Sequence, residues 1–81
     1  YIVHRRHREK QILIALETGG AATVRQLVAK LYADHDRRLH PAACHSVLAH
    51  LLDLYRRGVV DVAGDIGIAG VWRPLFMRHA A

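Results

Sequence analysis

The sequence predicts a mostly helical domain with a small β-hairpin, in which three helices precede a C-terminal two-stranded wing. Residues 41–58 carry apolar side chains at the i, i+3, i+4, i+7 spacing of an amphipathic helix. Two shorter stretches before them carry helix start and stop signals. After Gly58 the pattern changes to short β-branched runs separated by glycines. This order of elements is that of a winged helix-turn-helix.

Residues 4–18 are predicted to form the first helix, which the glycine pair after them would end. Its core-facing side chains are Ile12, Leu13 and Leu16. The second helix begins at Thr23, where the Thr hydroxyl and the Gln26 amide match a capping box. The two alanines before Thr23 are predicted to form a short strand.

The third helix is predicted over residues 41–58, after a polar loop at residues 33–40 that Leu39 anchors. Pro41 suits the first helical turn, and Gly58 suits the left-handed residue that ends a helix. The predicted apolar stripe contains Cys44, Val47, Leu48, Leu51, Leu52, Leu54 and Tyr55. The predicted polar face contains His45, Ser46, Ala49, His50, Asp53, Arg56 and Arg57.

The wing is predicted to follow directly. Residues 59–62 form its first strand, residues 63–70 a flexible glycine-rich tip, and residues 71–76 the returning strand. Pro74 is expected at a sheet edge, because it cannot donate a ladder hydrogen bond. Residues 77–81 are expected to form a frayed tail.

The chain has 81 residues, one cysteine and a net charge of +5 with its histidines neutral. This length suits one small domain with one core. Cys44 has no partner for an internal disulfide, and no run approaches the roughly 18 apolar residues of a membrane-spanning helix. The sequence therefore predicts a cytoplasmic domain without a membrane partner, in which Cys44 is a small buried hydrophobic residue.

No catalytic or metal site is predicted in this chain. His40 and Cys44 have the i, i+4 spacing of one helix face, but His45 is turned about 100° away from Cys44. Structural zinc usually takes four ligands, and a closed site is not apparent. The carboxylates are scattered, and no Ser/His/Asp arrangement has a supporting context.

The basic charge balance permits nucleic-acid binding. In a helix-turn-helix reader the third helix enters the major groove, yet its polar face carries Asp53 near its centre. The stretch between Gly58 and Trp72 contains no Lys or Arg but holds Asp61 and Asp65. A stand-alone DNA-binding transcription regulator is therefore the alternative rather than the preferred interpretation, and a homo-oligomer formed through surplus apolar surface is a third.

An ordered set of residues with characteristic spacings runs from residue 4 to about residue 75. Its members are His4, Arg8, Glu9, Gln11, Ile12, Leu13, Thr23, Gln26, Leu27, Val28, Tyr32, Leu39, His40, Ala43, His50, Leu51, Leu54, Gly58 and Trp72. The set resembles the C-terminal winged-helix domain of metallo-β-lactamase-fold hydrolases, including the lactamase-beta-2-like endoribonucleases. It departs at Gln26, where that family usually has an acidic residue, and either residue can close a capping box.

The resemblance implies that residues 1–81 are a single winged-helix domain and the C-terminal part of a larger hydrolase. The family's zinc ligands form a His-x-His-x-Asp-His run in the N-terminal domain, and this chain holds no such run. Two zinc ions are thus expected in the catalytic domain, where they would activate water against an ester, thioester or phosphodiester. The present domain would be non-catalytic, pack on that domain and shape substrate access.

Two sets of candidate residues follow from the resemblance and the charge pattern. The candidates for docking onto the N-terminal hydrolase domain are His4, Arg8, Glu9 and His50. The candidates for holding an anionic substrate such as RNA are Arg5, Arg6, Arg8 and Arg57.

Overall fold

The computed structural model describes residues 2–75, with side chains from residue 6 onward. Its elements are α1 (Ile2–Gly19), α2 (Val24–Leu31), a 3₁₀ turn (Arg37–Leu39), α3 (His40–Arg56), β1 (Val60–Ala63) and β2 (Val71–Pro74). The predicted fold class is confirmed: three helices precede an antiparallel hairpin, as in a winged helix domain. The predicted strand residue 76 and the predicted tail at 77–81 lie outside the described residues.

One core joins the helices to the wing. Its fully or nearly fully buried side chains are Ile12, Leu16, Val24, Leu27, Val28, Ala43, Val47, Leu51, Leu54, Val60 and Trp72. The predicted stripe of α1 is confirmed, since Ile12 and Leu16 are buried and Leu13 packs against them. Because the wing contributes Val60 and Trp72, the hairpin packs on the helices as part of the same hydrophobic unit.

The buried face of α3 is rotated relative to the prediction. Successive helical residues are about 100° apart, so Ala43, Val47, Leu51 and Leu54 share a narrow face that is centred away from Cys44. Ala43 was predicted on neither face and is buried, whereas Cys44 is only half-buried and Tyr55 is 37% exposed. The broad run of apolar residues in α3 hid which part of it faces the core.

The ends of the helices carry the predicted capping chemistry. The capping box is confirmed: the Gln26 backbone N–H donates to Thr23 Oγ1 at 3.2 Å, and the Thr23 N–H donates to Gln26 Oε1 at 2.9 Å. At the end of α3, Gly58 has φ +74° and donates to the Tyr55 carbonyl, and Val59 donates to the Leu54 carbonyl. This pair of bonds is a Schellman motif, which satisfies the last carbonyls of the helix.

The prediction that Leu39 anchors the loop before α3 is wrong. The Asp36 carboxylate accepts a hydrogen bond from the Arg38 backbone N–H at 2.9 Å and starts the 3₁₀ turn. This turn places Leu39 outward, with 53% of its surface exposed. His40 makes the attachment instead: its Nε2 donates to the Tyr32 carbonyl oxygen across 3.2 Å, because a carbonyl can only accept.

Strand β2 of the wing forms backbone hydrogen bonds along both of its edges. Its inner edge pairs with β1 in the register Val60↔Pro74, Asp61↔Arg73, Val62↔Trp72 and Ala63↔Val71. On the other edge, Ala22 and Trp72 exchange two backbone hydrogen bonds of 2.8 Å, so the alanine strand predicted before α2 is a single bridge. Pro74 lies two residues after Trp72, and its nitrogen therefore faces away from β1, as expected of an edge position.

The wing tip is more tightly packed than its glycine content predicted. The backbone N–H of Gly70 and the indole Nε1 of Trp72 both donate to the carbonyl oxygen of Gly67, at 3.2 and 3.1 Å. Ile68 packs against the core, and Gly70 is buried. The tip thus folds back on the body, because the Gly67 carbonyl accepts two hydrogen bonds and the Ile68 side chain is partly buried against the core.

Candidate functional site

An ion-pair chain joins α1 to the end of α3. Arg57 Nη2 lies 2.7 Å from Glu9 Oε1, and Arg57 Nε lies 3.3 Å from Asp53 Oδ2. The hydrogen bond to Glu9, together with the charges of Glu9 and Asp53, raises the pKa of Arg57 above its ordinary value. Two carboxylates therefore already balance the charge of this candidate substrate-binding arginine.

Arg8 contacts a different helix from Glu9, although the two residues are adjacent in sequence. Its Nη1 donates to Gln11 Oε1 at 2.9 Å, and its guanidinium lies 4.5 Å from the centre of the Tyr32 ring at the end of α2. This distance is typical of a cation–π contact. Arg8 and Glu9 thus secure α1 to α2 and to α3, respectively.

The remaining predicted candidates are His4, Arg5, Arg6 and His50. Arg6 is exposed on α1, and His50 is half-buried on α3. The side chains of His4 and Arg5 lie outside the described residues. The structure therefore brings Glu9 and Arg57 together, while the proposed docking and substrate roles of all these residues stay predictions.

A concave groove, not foreseen from the sequence, opens between α2, the first turn of α3 and the wing tip. Its volume is about 570 Å³. Its basic side chains are those of Arg25, Arg37, His40 and His45, and its apolar walls include Val28 and Ile68. We call this feature the α2–α3 groove. No carboxylate is among its lining residues, so no negatively charged side chain in the lining offsets the charges of Arg25 and Arg37.

The α2–α3 groove also contains the residues weighed as metal ligands. Cys44, His40 and His45 all line it. Among the side chains from residue 6 to residue 75, no group of three His, Cys, Asp or Glu residues is arranged to hold a metal ion. The rotation between Cys44 and His45 on α3 accounts for this, because the two side chains leave the helix in different directions.

Two further ion pairs balance charges around the fold. Arg38 Nη2 lies 2.8 Å from Asp36 Oδ2, and its hydrogen bonds lower the pKa of Asp36. Across the wing, Arg73 Nη2 lies 3.0 Å from Asp61 Oδ2, and that hydrogen bond likewise lowers the pKa of Asp61. Each pair leaves a carboxylate ionised beside its own arginine.

Residues 23–72 match the family model of the beta-lactamase associated winged helix domain. The match covers more than half of the 81 residues and extends from the N-cap of α2 to the buried tryptophan of β2. The chain belongs to this family. The resemblance drawn from the sequence motifs is thereby confirmed.

The boundaries of the match divide the candidate residues of this beta-lactamase associated winged helix domain. His50, Arg57 and the α2–α3 groove lie inside the matched range, whereas α1 precedes it. No solved structure shows a significant match to the chain.

Within residues 2–75, no helix is long and apolar enough to cross a membrane.

Proposed function

We propose that this chain is the non-catalytic C-terminal accessory domain of a metallo-β-lactamase-fold zinc hydrolase, packing on the catalytic domain and shaping substrate access. The observation that carries the proposal is the family match from Thr23 to Trp72, which spans α2, α3 and the wing. Winged-helix domains of this family are associated with beta-lactamase-fold proteins by their description. The chemistry would belong to the catalytic domain, where two zinc ions would activate a water molecule.

The proposal gives α1 the role of orienting the domain. This helix has 18 residues and would be about 27 Å long. Its contacts through Arg8 to Tyr32 and through Glu9 to Arg57 fix its direction relative to α2 and α3. A catalytic domain attached through α1 would therefore meet the body at a set angle, with His4, Arg8, Glu9 and His50 as the docking candidates.

The substrate of the hydrolase would be an ester, a thioester or a phosphodiester, the last making it an endoribonuclease. Arg5, Arg6 and Arg8 are the α1 candidates for contact with an anionic substrate. Arg57 is a weaker candidate, because Glu9 and Asp53 already oppose its charge at 2.7 and 3.3 Å. We therefore expect substitution of Arg57 to change the attachment of α1 more than the binding of substrate.

The experiment compares the full-length gene product with the 81-residue chain, using an ester, a thioester and single-stranded RNA as substrates. The full-length protein is expected to hydrolyse one of these classes, to lose that activity on chelation and to regain it with zinc. The 81-residue chain is expected to hydrolyse none. Activity that survives complete metal removal, or a gene without a metallo-β-lactamase-fold domain before this chain, would overturn the proposal.

Charge variants of the full-length protein test the orienting role of α1. Glu9→Arg should lower kcat/KM, and the compensating pair Glu9→Arg with Arg57→Glu should restore part of it, because the swap recreates the ion pair. Zinc content should stay unchanged in both variants. A double variant no better than the single one would contradict the orienting role of this pair.

A further inference from the structure

The arginines of the α2–α3 groove, Arg25 and Arg37, differ from the three arginines that form ion pairs. Arg38, Arg57 and Arg73 each pair with a carboxylate at 2.7–3.3 Å. Within the part of the chain whose side chains are described, Arg25 and Arg37 make no ion pair or hydrogen bond. Two guanidinium groups therefore face one concave space with their charges unopposed.

We propose that the α2–α3 groove binds the phosphate backbone of single-stranded nucleic acid, with Arg25 and Arg37 donating to phosphate oxygens. Guanidinium groups offer planar, bidentate donors that match phosphate geometry. This site is distinct from the α1 arginines considered above. It requires only the residues of this chain, and so it stands or falls independently of the proposed hydrolase.

The start of α3 adds favourable electrostatics to the groove. Its N-cap residue Leu39 offers no side-chain hydrogen bond, so no side chain caps the N–H groups of the first turn. Pro41 of this turn lines the groove, so the positive end of the helix dipole lies beside the groove. The nearby carboxylate of Asp36 is already engaged by Arg38 at 2.8 Å and does not line the groove.

The shape of the groove favours a flexible strand over a duplex. A duplex reader needs a protruding helix to enter the major groove, whereas this site is a recess walled by Val28 and Ile68. The wing tip contributes Ile68 rather than a cation, and β1 carries Asp61. A single strand can place a phosphate inside the recess and rest a base or sugar on the apolar wall.

Fluorescence anisotropy with a labelled short oligouridylate and the 81-residue chain tests the proposal. If Arg25 and Arg37 each neutralise one phosphate of a single strand, a plot of log affinity against log salt concentration should have a slope of about −1.4. The affinity should therefore fall about sevenfold from about 50 to about 200 mM salt. The matching duplex should bind more weakly. A duplex that binds as tightly as the single strand would overturn the proposal.

The chain offers matched variants with equal loss of charge. Arg25→Gln with Arg37→Gln should lower affinity by about a hundredfold and flatten the salt dependence, because each of the two lost charge-assisted contacts is worth about tenfold. Lys10→Gln with Arg56→Gln removes the same charge outside the groove and should leave most of the affinity. Equal losses in the two double variants would mean general attraction to a basic protein and would overturn the site.

Amide chemical shifts locate the bound strand independently of affinity. On titration with the oligouridylate, the largest changes are expected at the first turn of α3 and the first turn of α2. Changes confined to α1 would assign the phosphate contacts to the arginines of that helix and would refute the groove. Circular dichroism of every variant should match the unsubstituted chain, since Lys10, Arg25, Arg37 and Arg56 are exposed.

Discussion

Substitution of Gly70 by alanine tests the packing of the wing tip most directly. A Cβ atom at this position would meet the backbone carbonyl oxygen of Asp65, and it would lie 2.6 Å from Val62 Cγ2. The carbonyl belongs to the backbone of the tip and cannot rotate away as a side chain can. The tip must therefore open for the methyl group to fit.

The expected cost follows from the contacts that opening would disturb. Overpacking a closely packed site costs about 1–3 kcal/mol. The hydrogen bonds from Gly70 and Trp72 to the Gly67 carbonyl are also at risk, each worth about 0.5–1.5 kcal/mol. We expect Gly70→Ala to lower the free energy of unfolding by about 2–3 kcal/mol, which is about 10–20 °C in Tm for a domain of this size.

Thermal melts by circular dichroism measure this loss, and Gly67→Ala provides the control. A Cβ at Gly67 would have no heavy atom within 4 Å, so that substitution should change the free energy of unfolding by less than about 1 kcal/mol. Trp72 is the only tryptophan, and its fluorescence reports on the same tip. If Gly70→Ala had the same Tm as the unsubstituted chain while Gly67→Ala had a lower one, the described packing of the tip would be wrong.

Three further substitutions test single contacts. Thr23→Ala should lower the free energy of unfolding by about 1 kcal/mol, because it removes the hydroxyl acceptor of the capping box; chemical denaturation measures it, and an unchanged midpoint would contradict the cap. Glu9→Gln should cost about 0.2–1 kcal/mol through the lost ion pair with Arg57, and the loss should shrink in melts at high salt; a salt-independent loss would point to packing instead. Asp61→Asn should lower the free energy of unfolding at neutral pH only. Arg73 lowers the pKa of Asp61 in the folded state below 3.8, so the ion pair stabilises the fold at pH values above the unfolded pKa. This stabilisation is lost as the pH falls through the folded pKa. Melts of both proteins at neutral and strongly acidic pH check this, and a difference that persists in acid would refute it.

Local signals in the sequence predicted local structure well. The spacing of Thr23 and Gln26 contains all the information for a capping box, because both partners lie within one helical turn. The same is true of Gly58, whose positive φ ends α3 in the predicted place. The order of three helices and a hairpin followed from such signals, and the motif set pointed to the family that the match confirms.

Features that depend on distant parts of the chain could not be predicted. Leu39 is apolar, yet the packing of the helices leaves 53% of its surface exposed. Glu9 had a nearby arginine at i−4 in sequence, but its observed partner Arg57 comes from the far end of α3. These outcomes depend on how the helices pack, which periodicity does not specify.

The α2–α3 groove was missed for the same reason. Arg25 lies in the first turn of α2 and Arg37 in the connection to α3, so the two arginines are 12 positions apart in the sequence. They meet only because α2 packs on α3 and Ile68 closes the space from the wing.

The paired backbone bonds between Ala22 and Trp72 have a mechanical consequence. Ala22 lies in the short connection between α1 and α2, so the hairpin is hydrogen-bonded to the joint, that is, the connection between these two helices. Any displacement of the hairpin must either break both bonds or carry that joint with it. A force applied at the hairpin is therefore transmitted to the angle between α1 and α2, and the amide protons of Ala22 and Trp72 should exchange with solvent at the same slow rate.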